Sequence, residues 1–247
     1  MTALSVAWDL FRDPVAALRL FGGGKEGLHR LAVGRLLGQD SQSVNHMYSE
    51  LQANKQFQEH VRAATASAGR SLGGFVRPSD LYVICRSVKP KTIVETGVAS
   101  GLSSAFILQA LDDNAAGRLY SIDLPNADTE QLLGKVLTNL PEGREPGWVV
   151  PDWLRSRWDL RLGRTSDMLP QLVAELGTID IFLHDSEHSL ENMTFEFNLS
   201  WPVIAKGGLL LSDDVNLPST KGAFYSFAKK VGRKPEKMFS GYGAIRK

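Results

Sequence analysis

From residue 79 onward the chain alternates short apolar runs with amphipathic stretches, and no other feature limits its fold as strongly. The spacing predicts helices over 79–88, 103–111, 167–176, 190–203 and 221–231, and strands over 91–96, 118–123, 159–163, 179–185 and 208–214. Strands joined through helices of that length need right-handed crossovers, so they run parallel and both faces of the sheet are covered. The final KMF and GYGAIRK runs, parted by Ser240-Gly241, read as an antiparallel hairpin at the sheet edge. The expected architecture is α/β: a doubly wound, mostly parallel sheet of seven strands with helices on both sides.

Residues 1–78 read differently, as a helical N-terminal extension to a ligand-binding domain over 79–247. Leu4, Ala7, Trp8, Phe11, Val15, Leu18 and Phe21 recur at helical spacing, and Gly22-Gly23-Gly24 interrupts the pattern before Leu28, Leu31 and Leu36 resume it. Asp9, Arg12 and Asp13 interrupt the first run, which therefore offers neither a signal-peptide core nor a membrane span. Its polar face mixes both charge signs, which favours packing on its own domain. Shaping an acceptor pocket and making a homodimer contact are the two roles open to the extension. A single cysteine, Cys85 in LYVICRSV, excludes an internal disulfide and thiolate zinc sites, and a cytoplasmic setting is expected. With 28 Lys+Arg against 27 Asp+Glu there is no overall field to hold nucleic acid or an anionic membrane. One irregular stretch, 139–158, carries Trp148, Trp153 and Trp158, and reads equally as a lid over a ligand or as a strap pinned to the body.

Two groups of residues carry chemistry. In ETGVASG, Glu95 to Gly101, a glycine turn between strand and helix lets a ligand approach the backbone. Glu95 would repel a dinucleotide pyrophosphate, and Asp123, ending the next strand, is placed to take ribose hydroxyls. Together they favour an adenosine ligand without phosphates, such as S-adenosylmethionine (SAM). In HDSEHS and SDDV, Asp185 ends one strand while Asp213 and Asp214 end the next. On neighbouring parallel strands these carboxylates would converge, and like charges that close call for a hard divalent cation, unless the acids merely cap helices. His188, three residues beyond Asp185, is a candidate general base, with Asp185 its rival; His184 should point into the fold.

At the residues VETGVASGLSS, YSIDLP, HDSEHS and AKGGLLLSDDV the stretch 79–247 resembles class I SAM-dependent methyltransferases. The resemblance is to their metal-dependent small-molecule group, which includes catechol O-methyltransferase-like, macrocin O-methyltransferase-like and cephalosporin-hydroxylase-like proteins. It implies a Rossmann-like fold and O-methylation of a small molecule. Glu95, Gly97 and Gly101 would cradle the methionine part of the cofactor, Ser103 would also touch the cofactor, Asp123 would hold the ribose, and Gly163 to Ser166 would lie beside the adenine. Asp185, Asp213 and Asp214 would bind Mg²⁺ or Mn²⁺. Ala99 replaces a glycine of the usual loop, and Asp213-Asp214 stands where catechol enzymes carry Asp-Asn, which points to a saccharide acceptor rather than a catechol. A phenolic or polyketide acceptor, a nicotinamide-dependent oxidoreductase and a non-catalytic cofactor-binding protein are the other readings.

Overall fold

The computed structural model describes residues 14–68, 75–125, 140–141, 143–238 and 241–247. Among the described residues three helices come first, α1 (Pro14–Leu37), α2 (Ser41–Ala53) and α3 (Lys55–Ala68). The alternating part follows as α4 (Pro78–Val88), β1 (Thr92–Thr96), α5 (Leu102–Asp113), β2 (Arg118–Asp123), β3 (Trp158–Leu162), α6 (Thr165–Leu176), β4 (Ile179–His184), α7 (Leu190–Ser200), β5 (Ile204–Ser212) and α8 (Pro218–Lys230). Strands β6 (Glu236–Lys237) and β7 (Gly243–Arg246) close it. The sheet order is β3-β2-β1-β4-β5-β7-β6; the first five strands are parallel, and β7 is antiparallel to both β5 and β6. The order reverses between β1 and β4, and in open sheets of this kind ligands bind beyond the carboxyl ends of the strands at that point.

Period-2 alternation explains why both faces are dry. Ile93, Ile181, Leu183, Leu209 and Leu211 face one way, into a core shared with α4, α5 and the N-terminal helices through Val33, Val44 and Phe57. Val94, Phe182, Leu210 and Ile245 face the other, beneath α6, α7 and α8. The helices of the N-terminal extension therefore pack into the same core as the sheet.

Three boundaries differ from the sequence reading, each for a local reason. The expected break at 22–24 is a kink at Gly24 (φ 54°, ψ −142°) inside α1, while Leu4, Ala7, Trp8 and Phe11 lie outside the described residues. Helix α7 stops at Ser200, and residues 201–203 form a 3-10 turn containing Pro202, which has no N–H to continue the α-helical ladder. Strand β5 starts at Ile204, four residues early: Ile179 pairs with Ile204 but Ile181 pairs with Leu209, and the irregularity falls at exposed Lys206-Gly207, with Gly207 at φ 85°. Among the described residues no helix is long and apolar enough to cross a membrane.

Candidate active site

The glycine loop between β1 and α5 is held from three sides. Gly97 (φ 84°) donates its N–H to the Ile122 carbonyl (2.9 Å), and a Cβ there would lie 2.1 Å from the Asp185 carbonyl oxygen. Gly101 (φ 84°) would place a Cβ 2.6 Å from the Gly147 Cα. Ala99 also adopts the left-handed region, at φ 46°, at the position where the resemblance leads one to expect glycine. Asp123 accepts the N–H groups of Val98 (3.0 Å) and Ala99 (2.7 Å) on one oxygen and that of Leu124 (2.7 Å) on the other. Burial pushes its carboxyl up while these three amides pull it down. A carboxylate accepts about four hydrogen bonds, so a direction remains for a ligand hydroxyl.

Glu95 and Ser103 are placed differently from the expected cradle. Glu95 is fully buried and accepts the hydroxyls of Ser103 (2.6 Å), Ser104 (2.6 Å) and Ser121 (2.7 Å), and the Trp158 indole N–H donates to Ser121 (2.9 Å). Burial raises the Glu95 carboxyl and the hydroxyls oppose it. These side chains knit β1, β2, β3 and the start of α5 together beneath the loop, and their hydrogen-bonding capacity is directed there. Gly163 donates its N–H to the Asp123 carbonyl (2.8 Å) beyond the end of β3, and exposed Ser166 bonds Asp167 (3.1 Å).

Within 139–158, where residues 139 and 142 lie outside the described residues, the segment is a strap. Gly147 and Val149 donate their N–H groups to the carbonyls of Ala99 and Ser100 (both 2.9 Å), and His60 of α3 bonds the Val149 carbonyl (2.8 Å). Val149, Val150 and Leu154 are buried, the Trp153 ring meets His60 edge-on at 5.2 Å, and Trp158 fills the space beside Gly147. The three tryptophans do not form one apolar underside: Trp148 instead lies against Arg144, 4.8 Å from ring centroid to guanidinium carbon.

The acids share the edge that the glycine loop occupies. The Asp185 N–H donates to the Thr96 carbonyl (2.8 Å) and the Asp213 N–H to the His184 carbonyl (2.9 Å), which locks the ends of β1, β4 and β5 side by side. Burial and the charges of Asp213, Glu95 and Asp214 hold the Asp185 carboxyl well above the ordinary range. Burial and Asp214 push Asp213 up to about 6. One carboxyl oxygen of Asp213 is buried without a hydrogen-bond partner. Asp214 sits at φ 51°, with its carbonyl accepting the Thr220 hydroxyl. His188 lies 4.0 Å from both Asp185 and Asp214, and burial, with His184 alongside, lowers its pKa. Among the described residues no three His, Cys, Asp or Glu side chains already converge as a ligand set.

Sequence reading missed Glu196. It is fully buried on α7 and accepts from Thr96 (2.6 Å), Ser186 (2.7 Å) and Asn192 (3.0 Å), with His184 Nδ1 at 2.7 Å. His184 does point inward, as expected. The signal was present: Met193, Glu196, Phe197 and Ser200 occupy the inward face at helical spacing. His184 and Ser186 flank Asp185, so Glu196 fixes the loop that carries Asp185 and His188. Glu196→Gln should turn one accepting oxygen into a donor facing donors, lowering stability by about 1–3 kcal/mol in a urea melt.

Residues 94–215 match the family described as "Methyltransferase domain". No curated protein matches the chain. Among solved structures, an O-methyltransferase from Bacillus cereus in complex with S-adenosylhomocysteine (SAH) superposes with a TM-score of 0.56 at 16% identity, covering 78% of this chain and 91% of that one. TomG from Streptomyces achromogenes, an O-methyltransferase involved in tomaymycin synthesis and complexed with SAM, gives 0.52 at 18%, covering 78% and 88%. At these identities the likeness is one of fold. The family match, set in this strand order with a glycine loop at its switch point, marks residues 94–215 as a methyltransferase domain with the class I fold.

Proposed function

We propose that the enzyme methylates a hydroxyl oxygen of a small molecule, with Asp185, Asp213 and Asp214 holding Mg²⁺ or Mn²⁺ and with a saccharide as the acceptor. The carrying observation is the state of the acids: burial and the charges of Asp213, Glu95 and Asp214 hold the Asp185 carboxyl high, burial and Asp214 do the same to Asp213, and a buried Asp213 oxygen lacks any donor. An all-oxygen set of that kind suits a hard cation. When bound, the ion would acidify the acceptor hydroxyl and orient it toward the methyl group that SAM supplies.

The chain's own residues do the rest. Gly97 and Gly101 let the backbone approach the cofactor, Asp123 offers its remaining acceptor direction to a ribose hydroxyl, and the first turn of α5 presents N–H groups to a carboxylate. His188, kept neutral by burial, takes the acceptor's proton at a ring nitrogen, and Asp185 and Asp214 nearby stabilise the imidazolium. Three carboxylates already balance a divalent ion, so its further ligands are best neutral oxygens, such as the adjacent hydroxyls of a sugar.

One observation favours a second reading, an acceptor with an apolar or phenolic body. Leu190 opens α7 just past His188 and Leu217 follows Asp214 by three residues; both side chains are exposed (60% and 42%). A cofactor-consumption screen with saccharides and phenols side by side decides. Much higher kcat/KM on phenols would remove the saccharide while leaving the methyltransferase intact.

The metal can be tested without an acceptor. Asp213 rises from 3.8 to about 6 on folding, so in the metal-free protein its contribution is most favourable below pH 4 and is lost as the pH climbs through 6. An ion among the acids cancels that penalty. Saturating Mg²⁺ should raise the melting temperature by about 5 °C at pH 7.5 and hardly at all at pH 4.5. No shift at either pH would show that the acids hold no ion.

A further inference from the structure

We propose that Asp80, remote in sequence from the acids, is a positioning residue for Asp213, acting through Tyr242 and the C-terminal hairpin. The inference rests on the reading of Asp213 as a metal ligand. Asp80, on α4, is completely buried, and its carboxylate accepts Tyr48 of α2 (2.6 Å) on one oxygen, and Tyr242 beside β7 (2.9 Å) on the other, where His29 Nε2 of α1 also lies at 2.6 Å. Arg77 Nε lies 3.5 Å from the carboxylate, and the Arg77 carbonyl accepts the Asp80 N–H (2.9 Å).

The route from this hub to Asp213 runs through the hairpin. Tyr242, on whose ring Phe75 packs at 4.7 Å, is flanked by Gly241, whose carbonyl accepts the Val215 N–H (3.0 Å), and by Gly243, which pairs with Ser212. Asp80 thus restrains the backbone on either side of Asp213-Asp214. The hydroxyl of Tyr48 binds the other oxygen of the same carboxylate and does not lead into the hairpin, so it serves as the internal control.

The experiment compares Tyr242→Phe with Tyr48→Phe in the full chain. Each deletes one hydroxyl from the Asp80 carboxylate, and chemical melts should show both folded and similarly weakened. Tyr242→Phe should speed amide exchange at Val215, whose N–H bonds the Gly241 carbonyl, about tenfold in the metal-free protein and raise the Mg²⁺ dissociation constant about tenfold by calorimetry, with SAH binding unchanged; Tyr48→Phe should move neither. Equal effects of the two variants, or an unchanged Val215 amide in Tyr242→Phe, would overturn the proposal. If the intact protein binds no Mg²⁺, the metal reading falls, and the Val215 comparison still decides whether Asp80 positions the backbone beside Asp213-Asp214.

Discussion

Gly97→Ala should lower stability by about 3 kcal/mol or more and abolish SAH binding. Two costs add at this position. A φ of 84° puts an L side chain in a region disfavoured by about 1–2 kcal/mol, and the new Cβ would sit 2.1 Å from the Asp185 oxygen, 2.4 Å from its carbonyl carbon and 2.7 Å from the Ser186 nitrogen. All three contacts are backbone, so no side chain can swing away. Relief requires either the glycine loop or the Asp185 loop to move, and these are the two halves of the site. Gly177→Ala isolates the conformational cost alone: φ is 66°, nothing lies within 4 Å, and a loss of about 1 kcal/mol with full SAH binding is expected. Urea melts and calorimetry of the pair make the comparison, and a Gly97→Ala protein as stable as Gly177→Ala and still binding SAH would show that the two loops are not in contact.

The contrast shows what the sequence could and could not reveal. Alternation over 91–96, 179–185 and 208–214 was enough for the sheet, because strands buried on both faces read as continuous apolar runs, and the acids at their ends follow directly from strand direction. Glu95 was legible as an acid at a strand end but not in its orientation. A residue at that position can face the ligand or the helix below, and three serines drawn from 103, 104 and 121 settled it. The roles of Glu196 and Asp80 were not legible for a related reason, even though helical spacing marks Glu196 as inward-facing: a buried carboxylate is stable only with several donors, and theirs come from elements far apart in the chain. The strap at 143–157 stayed ambiguous because the partner that pins it, His60, lies 89 residues from Val149.

Asp213→Ala carries the other large effect. If Asp213 is a ligand, its loss should reduce kcat by about 10³-fold or more, as expected when the charge stabilisation supplied through a metal is removed, while SAH affinity stays near that of the parent. Excess EDTA should reproduce the loss in the parent enzyme, and Mg²⁺ or Mn²⁺ should reverse it there but not in the variant. Because burial and Asp214 disfavour ionisation of Asp213, and its charge in turn disfavours ionisation of Asp185, Asp213→Ala should also be no less stable than the parent in metal-free buffer at pH 7.5. Full turnover in EDTA would assign these acids to helix capping and loop geometry instead.

The most direct measurement is calorimetric titration of SAH into the full chain and into Asp123→Ala. With the cofactor against the loop that Asp123 holds through Val98 and Ala99, the parent should bind one equivalent and the variant should bind about 10- to 100-fold more weakly, the loss of hydrogen bonds to a charged group. A folded parent protein that takes up no SAH would contradict the account at its centre.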